Sequence, residues 1–166
     1  MGKVTPFLWY DTQALEAAEH YVSVFTSRPG ADPDGSGILD VARQGEGVPG
    51  EPGPVLMVTF ELEGQRIMAL NGGPHTTFND SFSLFVRCET QEEIDHFWDS
   101  LTAGGGEESM CGWLKDRYGL SWQIVPTVLM DLMGDPDPAK AQAVTQAMLQ
   151  MRKIQIDGLR RAYEAA

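Results

Sequence analysis

Hydrophobic and polar positions change their period several times along this chain, and each change marks an element. Val4 to Tyr10 reads as a strand, with Pro6 removing one amide donor and so suggesting an edge or a bulge. Asp11-Thr12 offers a helix cap, and Leu15, Ala18, Val22 and Phe25 recur at helical spacing over Ala14 to Phe25. Arg28 to Gly53 is rich in Gly, Pro and Asp. Within it only Ile38 to Arg43 reads as a short strand, and the rest predicts a mobile loop. Val55 to Glu63 and Gln65 to Asn71 predict a hairpin about Glu63-Gly64, and Gly72 to Asn79 a loop.

From Ser81 the order begins again. Ser81 to Cys88 reads as a strand, and Glu89-Thr90-Gln91 opens a helix carrying Ile94, Phe97, Trp98 and Leu101, which Gly104-Gly105-Gly106 ends. Two short strands follow. A hairpin at Tyr118-Gly119 then leads into the alternating run Ser121 to Val125. The halves therefore read as βαβββ twice, and short echoes agree: Asp11-Thr12-Gln13 with Glu89-Thr90-Gln91, His20-Tyr21 with His96-Phe97, Gly64 with Gly119. Thr127 to Met133 looks helical, and Asp137-Pro138 suits the start of another helix with Ala141, Val144, Met148, Met151 and Ile154 on one stripe. The expected class is α+β, with two repeated βαβββ modules forming a concave mixed sheet plus C-terminal helices. The expected organisation is one domain over residues 1–166, with a first module at 1–78, a second at 79–128 and a helical segment at 129–166.

Strand parity separates two kinds of face. Leu56, Val58, Phe60 and Leu62 are wholly apolar, as are Phe82, Leu84 and Val86, and both sets should pack under the helices. The opposite faces are mixed. They carry Phe7 and Trp9, Met57 and Thr59, Met68 and Leu70, Ser83 and Phe85, and Ser121, Gln123 and Val125. Aromatics and methionines with a few polar groups suit a ligand cavity. A second packing face, at a dimer interface or against the C-terminal helices, suits the same pattern.

Composition narrows the partners. The 166 residues include 24 acidic and 12 basic ones, a net charge of −12, and that surface repels nucleic-acid phosphates and anionic lipid. The N-terminal stretch lacks the apolar core of a signal peptide, and no run approaches a membrane span. The two cysteines, Cys88 and Cys111, form no CxxC pair, so a reduced, cytoplasmic setting is expected.

The doubled βαβββ unit, together with PFLWYD (Pro6 to Asp11), FELEGQRIMALNGGP (Phe60 to Pro74), FNDS (Phe78 to Ser81), CETQEEID (Cys88 to Asp95), CGWLKDRYGLSWQIVPTVL (Cys111 to Leu129) and DPDPAKAQAVTQAML (Asp135 to Leu149), resembles the PhnB-like family. That family sits in the vicinal oxygen chelate (glyoxalase/bleomycin-resistance/dihydroxybiphenyl dioxygenase) superfamily. The resemblance implies the fold and a homodimer, and leaves the reaction open. Members often carry the label 3-demethylubiquinone 3-methyltransferase, yet Gly104 to Gly106 follows a helix instead of opening one, unlike a nucleotide-binding loop.

Metal-dependent relatives place four ligands on the concave face, in the first and last strands of each module. The resemblance implies a last-strand carboxylate four residues after each hairpin glycine, and here those positions are Met68 and Gln123. The first-strand positions fall near Thr5 or Phe7 and near Ser81 or Ser83. A thioether, an amide, a hydroxyl and a phenyl ring cannot hold a divalent ion tightly, so no metal and no cofactor are expected. His20 and His96 lie mid-helix. His75, in the loop Gly72 to Asn79, could carry a proton near neutral pH or be a solvated loop residue. Cys111 has no evident basic partner, Glu107-Glu108 reads as a solvated pair, and Asn79 as a loop cap.

The expectation is a protein that binds a small apolar or aromatic molecule. Phe7, Trp9, Met57, Met68, Phe85 and Val125 would give shape; Thr59, Ser83, Gln123 and His75 would orient the ligand. No catalytic residue is assigned. Two other readings stand beside this one. The first is an enzyme, either a metal-assisted lyase, isomerase or dioxygenase or the labelled methyltransferase; the second is a dimeric interaction module without a ligand.

Overall fold

In the computed structural model, which describes residues 3–45 and 53–166, the chain divides after Phe78 into two units. The first holds β1 (Phe7–Tyr10), α1 (Ala14–Thr26), β2 (Ser36–Arg43), β3 (Val55–Leu62) and β4 (Gln65–Asn71). Its sheet order is β1-β4-β3-β2, with β1 parallel to β4 and the remaining pairs antiparallel. The second holds β5 (Ser83–Cys88), α2 (Gln91–Thr102), β6 (Glu107–Glu108), β7 (Trp113–Lys115), β8 (Ser121–Pro126), α3 (Thr127–Met133), α4 (Pro138–Leu149) and α5 (Ile156–Glu164). The order β5-β8-β7-β6 repeats the same pattern, with β5 parallel to β8. The doubled βαβββ order is therefore present, as an α+β fold with two four-stranded mixed sheets.

Several boundaries differ from the sequence reading. β1 begins at Phe7, not Val4, because Pro6 has no amide to give the ladder; its carbonyl still accepts from Met68 N at 3.0 Å. β2 starts at Ser36, two residues before Ile38, and part of the expected glycine-rich loop, 46–52, lies outside the described residues. β5 begins at Ser83, which leaves Phe82 exposed before the strand. Leu56, near the start of β3, is exposed too. Val58, Phe60, Leu62 and Val86 are buried as parity requires.

The helix over the first sheet turns a different stripe inward from the one expected. Ala14, Ala17, Ala18, Tyr21, Val24 and Phe25 are buried, whereas Leu15 and Val22 are only half-buried. Tyr21 draws the helix round. Its ring packs 6.2 Å from that of Phe60, and its hydroxyl meets the Tyr10 hydroxyl at 3.0 Å, so the buried polar tip is satisfied. The cap also comes from elsewhere. Neither Asp11 nor Thr12 caps α1; Asn71 Oδ1 accepts from Ala14 N at 2.8 Å, and Asn71 Nδ2 donates to the Val55 carbonyl at 3.1 Å. One amide thus joins the end of β4, the start of β3 and the start of α1.

In the second unit Thr90 caps α2 by accepting from Glu93 N, and the Glu93 carboxylate reaches back to Glu89 N, in the manner of a capping box. Ile94, Phe97, Trp98 and Leu101 are buried against the sheet. The link between β7 and β8 depends on Asp116, which is only 3% exposed. Its Oδ1 accepts from Tyr118 N (2.9 Å) and Leu120 N (3.1 Å), and its Oδ2 accepts from Trp122 Nε1 at 2.9 Å. Gly119, at φ +86°, supplies the left-handed residue the turn needs.

α4 ends at Leu149, so Met151 and Ile154 are not on its stripe. They lie in the connection to α5. Ile154 is fully buried and joins Val125, Leu129, Val144 and Leu159 in a second small core, with Met148, Met151 and Tyr163 packed around it. That connection also docks by backbone: the carbonyls of Met151 and Arg152 accept from Cys111 N (2.7 Å) and Gly112 N (2.8 Å). Gln91 holds it from the other side, donating to the Ile154 carbonyl and accepting from Ile156 N.

Replacing Asp116 by Ala strands two backbone amides and one indole N–H, mostly buried. We expect Asp116→Ala to cost roughly 3 kcal/mol in urea unfolding, and Asp116→Asn clearly less, because one acceptor survives. Equal costs for the two variants would show that the hydrogen bonds do not set the turn.

Candidate functional site

Each sheet has one face covered by its helix and one mixed face, and the candidate residues lie on the mixed faces. In the first unit, register places Phe7 beside Met68, Met68 beside Thr59 and Thr59 beside Asp40; the next row holds Trp9, Leu70, Met57 and Ala42. The side chains of Trp9, Met57, Thr59 and Met68 are half-buried, and Phe7 is exposed. Trp9 is held in place: its Nε1 donates to the Gly73 carbonyl at 2.9 Å. Its ring passes so close to Gly72 that a Cβ there would stand 2.3 Å from the indole. His75 follows in this loop. It is exposed, its amide donates to Gly73 O at 2.9 Å, and its imidazole lies near Gly73.

In the second unit, Ser83 lies opposite Ser121, and Phe85 and Trp113 both lie opposite Gln123. Gln123 Nε2 donates to Ser83 Oγ at 2.8 Å, so the two polar residues singled out on this face form one hydrogen-bonded pair. Phe85 beside them is exposed. Val125 instead packs into the small C-terminal core, where it meets Leu129 and Val144. It also borders a cleft of about 220 Å3 with Phe85, Arg87, Pro126 and Met130.

A larger cavity of about 430 Å3 opens beside the hairpin, bordered by Asp80, Glu107, Ser109, Trp113, Lys115 and Ser121. Ser121 Oγ donates to Asp80 Oδ1 at 3.0 Å, and Lys115 Nζ meets the same oxygen at 3.1 Å. The Lys115 ammonium and the Ser121 hydroxyl, both donating to it, hold the Asp80 carboxyl below the usual carboxylate range. In the sequence Lys115 precedes the Tyr118-Gly119 hairpin and Asp80 lies within Phe78 to Ser81. Their only joint signal was two opposite charges at the ends of strands whose pairing was not yet known. Glu108, read as solvated, has a partner after all: its Oε1 accepts from Trp98 Nε1 at 2.8 Å.

The donor set does not suit a metal. At the positions implied by metal-dependent relatives stand the Phe7 ring, the Met68 thioether, the Ser83 hydroxyl and the Gln123 amide, and none of them is an imidazole or carboxylate. Among the described residues no group of three or more His, Cys, Asp or Glu side chains could hold an ion. His20 and His96 lie half-buried beside the rings of Tyr21 and Phe97. Cys88 is buried and Cys111 half-buried, the latter with its amide tied to Met151. A methyl-donor nucleotide has no cradle here either. Gly106 N donates to Thr102 O at 2.9 Å, so the triple glycine closes α2, and no glycine-rich loop opens a helix among the described residues.

Paired βαβββ units whose mixed faces lie opposite their helices define a protein of the glyoxalase/bleomycin-resistance type of fold. The chain belongs to the PhnB-like family: residues 2–125 match the family model described as 3-demethylubiquinone-9 3-methyltransferase. A Bacillus cereus PhnB protein whose description carries the same methyltransferase label is 36% identical, at a TM-score of 0.63; the match covers 76% of this chain and 100% of that one. A Pseudomonas aeruginosa protein shares the fold at 15% identity and a TM-score of 0.58, over 76% of this chain and 98% of its own. No curated protein matches the sequence. No helix among the described residues is long and apolar enough to cross a membrane.

The Asp80–Lys115 contact should respond to acid with a definite sign. A depressed carboxyl value means that the contact's contribution is present above the ordinary carboxylate range and is lost as pH falls through the lowered value. An NMR titration of the Asp80 carboxyl carbon should therefore show a midpoint below about 3.9, rising towards it in Lys115→Met. An unchanged midpoint in that variant would rule out the ion pair as the cause.

Proposed function

We propose that this protein binds a small aromatic or apolar molecule on a mixed strand face, without a metal ion. The observation that supports this most directly is the Gln123–Ser83 hydrogen bond on β8 and β5, with Phe85 exposed beside it. A pre-set amide and hydroxyl next to an exposed ring orient a ligand bearing one polar group while the ring covers its apolar part. The mixed face of the first unit, taken by itself, carries apolar surface from Phe7, Trp9, Met57 and Met68 and a hydroxyl from Thr59, with His75 in the loop beyond Trp9. Binding of this kind would serve sequestration without turnover. The reading includes a reducing compartment and a homodimer, and sedimentation of the purified protein would check the dimer.

The enzymatic alternative draws on the methyltransferase label of the matching family and of the Bacillus cereus relative. It needs a methyl donor or a metal, and neither the glycines nor the donor set offers a recognisable place for one. The interaction-module alternative needs no ligand at all.

Phenol is a suitable probe. Its titration should shift the Gln123 side-chain amide saturably, and Gln123→Leu or Ser83→Ala should weaken binding by about tenfold, the worth of one hydrogen bond. S-adenosylmethionine should produce no saturable response, and elemental analysis should find no stoichiometric metal. Saturable S-adenosylmethionine binding would transfer the case to the enzyme, and indifference of assembly and phenol binding to both substitutions would favour the module.

A further inference from the structure

The chain has four tryptophans, and three of their indole N–H groups are already engaged. Trp9 donates to Gly73 O, Trp98 to Glu108 Oε1 and Trp122 to Asp116 Oδ2. Trp113 is the exception: among the described residues its Nε1 has no acceptor, and the residue borders the 430 Å3 cavity of the second unit. The groups around it are similarly unspent. The Glu107 carboxylate has no hydrogen-bond or ion-pair partner among the described residues, and nor has the Ser109 hydroxyl. Asp80 uses one oxygen for both Lys115 and Ser121, which leaves Oδ2 available. Lys115, bonded once, retains two N–H donors.

We propose that this cavity is a separate binding site for a neutral, polyhydroxylated molecule of sugar or cyclitol size. Charge selects against the alternatives. Lys115 neutralises Asp80, and Arg152 lies 3.8 Å from Glu108, so Glu107 is the one carboxylate of the wall left uncompensated. An anion would meet that carboxylate in a chain of net charge −12. A cation would have to approach past the Lys115 ammonium. Hydroxyl groups, which donate and accept at once, match a wall whose free groups are two acceptors and three kinds of donor. The indole adds an aromatic surface for the C–H face of a ring. The volume is that of a small-molecule site. The inference stands apart from the proposal for Ser83 and Gln123, because neither residue lines this cavity.

The Trp113 indole N–H is the natural reporter in the 15N-labelled full chain. Titration with glucose and with myo-inositol should move that signal saturably, with dissociation constants of about 1–10 mM, and leave the other three indoles in place. Glu107→Gln, at an exposed edge strand, should weaken binding by about tenfold. No saturable Trp113 shift with either polyol by about 100 mM overturns the proposal. Undiminished affinity in Glu107→Gln does so too, as does a saturable response to ethylammonium or acetate in place of the polyols. Phenol binding at Gln123 can succeed or fail independently, so the two readings are separable.

Discussion

A carboxylate withdrawn from water is costly unless donors surround it, and Asp116 meets three of them, two in its own turn and one from the Trp122 indole on β8. That requirement fixes the path from β7 to β8. Because strand side chains alternate, the turn decides which residues of β8 face the helix and which face the open side. With Asp116 in place, Trp122 and Ile124 enter the core under α2, and Ser121 and Gln123 take the mixed face. A slip of one residue would exchange the sets, burying an amide without its serine and exposing a tryptophan. The cavity beside the hairpin inherits the same constraint, since Trp113 and Lys115 sit on the partner strand in register with Gln123 and Ser121.

The first unit reaches the same topology by other means. Its tight hairpin relies on Glu63 and Gly64, at φ +46° and +82°, a pair of left-handed residues with no buried acid behind them. Its helix is positioned by Asn71 and by the Tyr10–Tyr21 contact. The repeat is one of strand order and not of chemistry. The two mixed faces are accordingly unlike: sulfur and aromatic rings in the first, a hydrogen-bonded amide, hydroxyls and an ion pair in the second. Neither retains a set of ligands that a divalent ion would favour, and this separates the family label from anything the donor atoms support.

The family match ends at residue 125, within β8, and the Bacillus cereus relative is fully covered by 76% of this chain. Residues 126–166 lie beyond the stretch that the family model matches. They are not loosely attached. Their small core grows from Val125 and Leu129, and backbone hydrogen bonds tie Met151 and Arg152 to Cys111 and Gly112, directly before Trp113. A Cβ on Gly112 would lie 2.7 Å from the Ile124 carbonyl oxygen, so the close approach at this junction depends on glycine. The connection between α4 and α5, through Met151 and Arg152, thus helps to brace the strand that borders the larger cavity.

The period of the hydrophobic pattern was enough to determine the doubled βαβββ order, the apolar faces of Val58, Phe60 and Leu62 and of Val86, and the caps at Thr90 and Asp137. Those features are local, decided by spacing and by hydrogen bonds between near neighbours. The juxtaposition of Ser83 and Gln123 was half legible: parity put both on open faces, but only strand pairing brings them to 2.8 Å. Other choices belonged to the tertiary structure alone. Asn71 displaces Asp11 and Thr12 as the cap of α1, Tyr21 displaces Leu15 from the buried stripe, and Asp116, one acid within the Cys111 to Leu129 stretch, is a buried organising acceptor. Asp80 and Lys115, far apart in sequence, become an ion pair at the cavity that Trp113 also borders. Each of these depends on a partner many residues away, or on a face that only packing selects, and a one-dimensional pattern records neither.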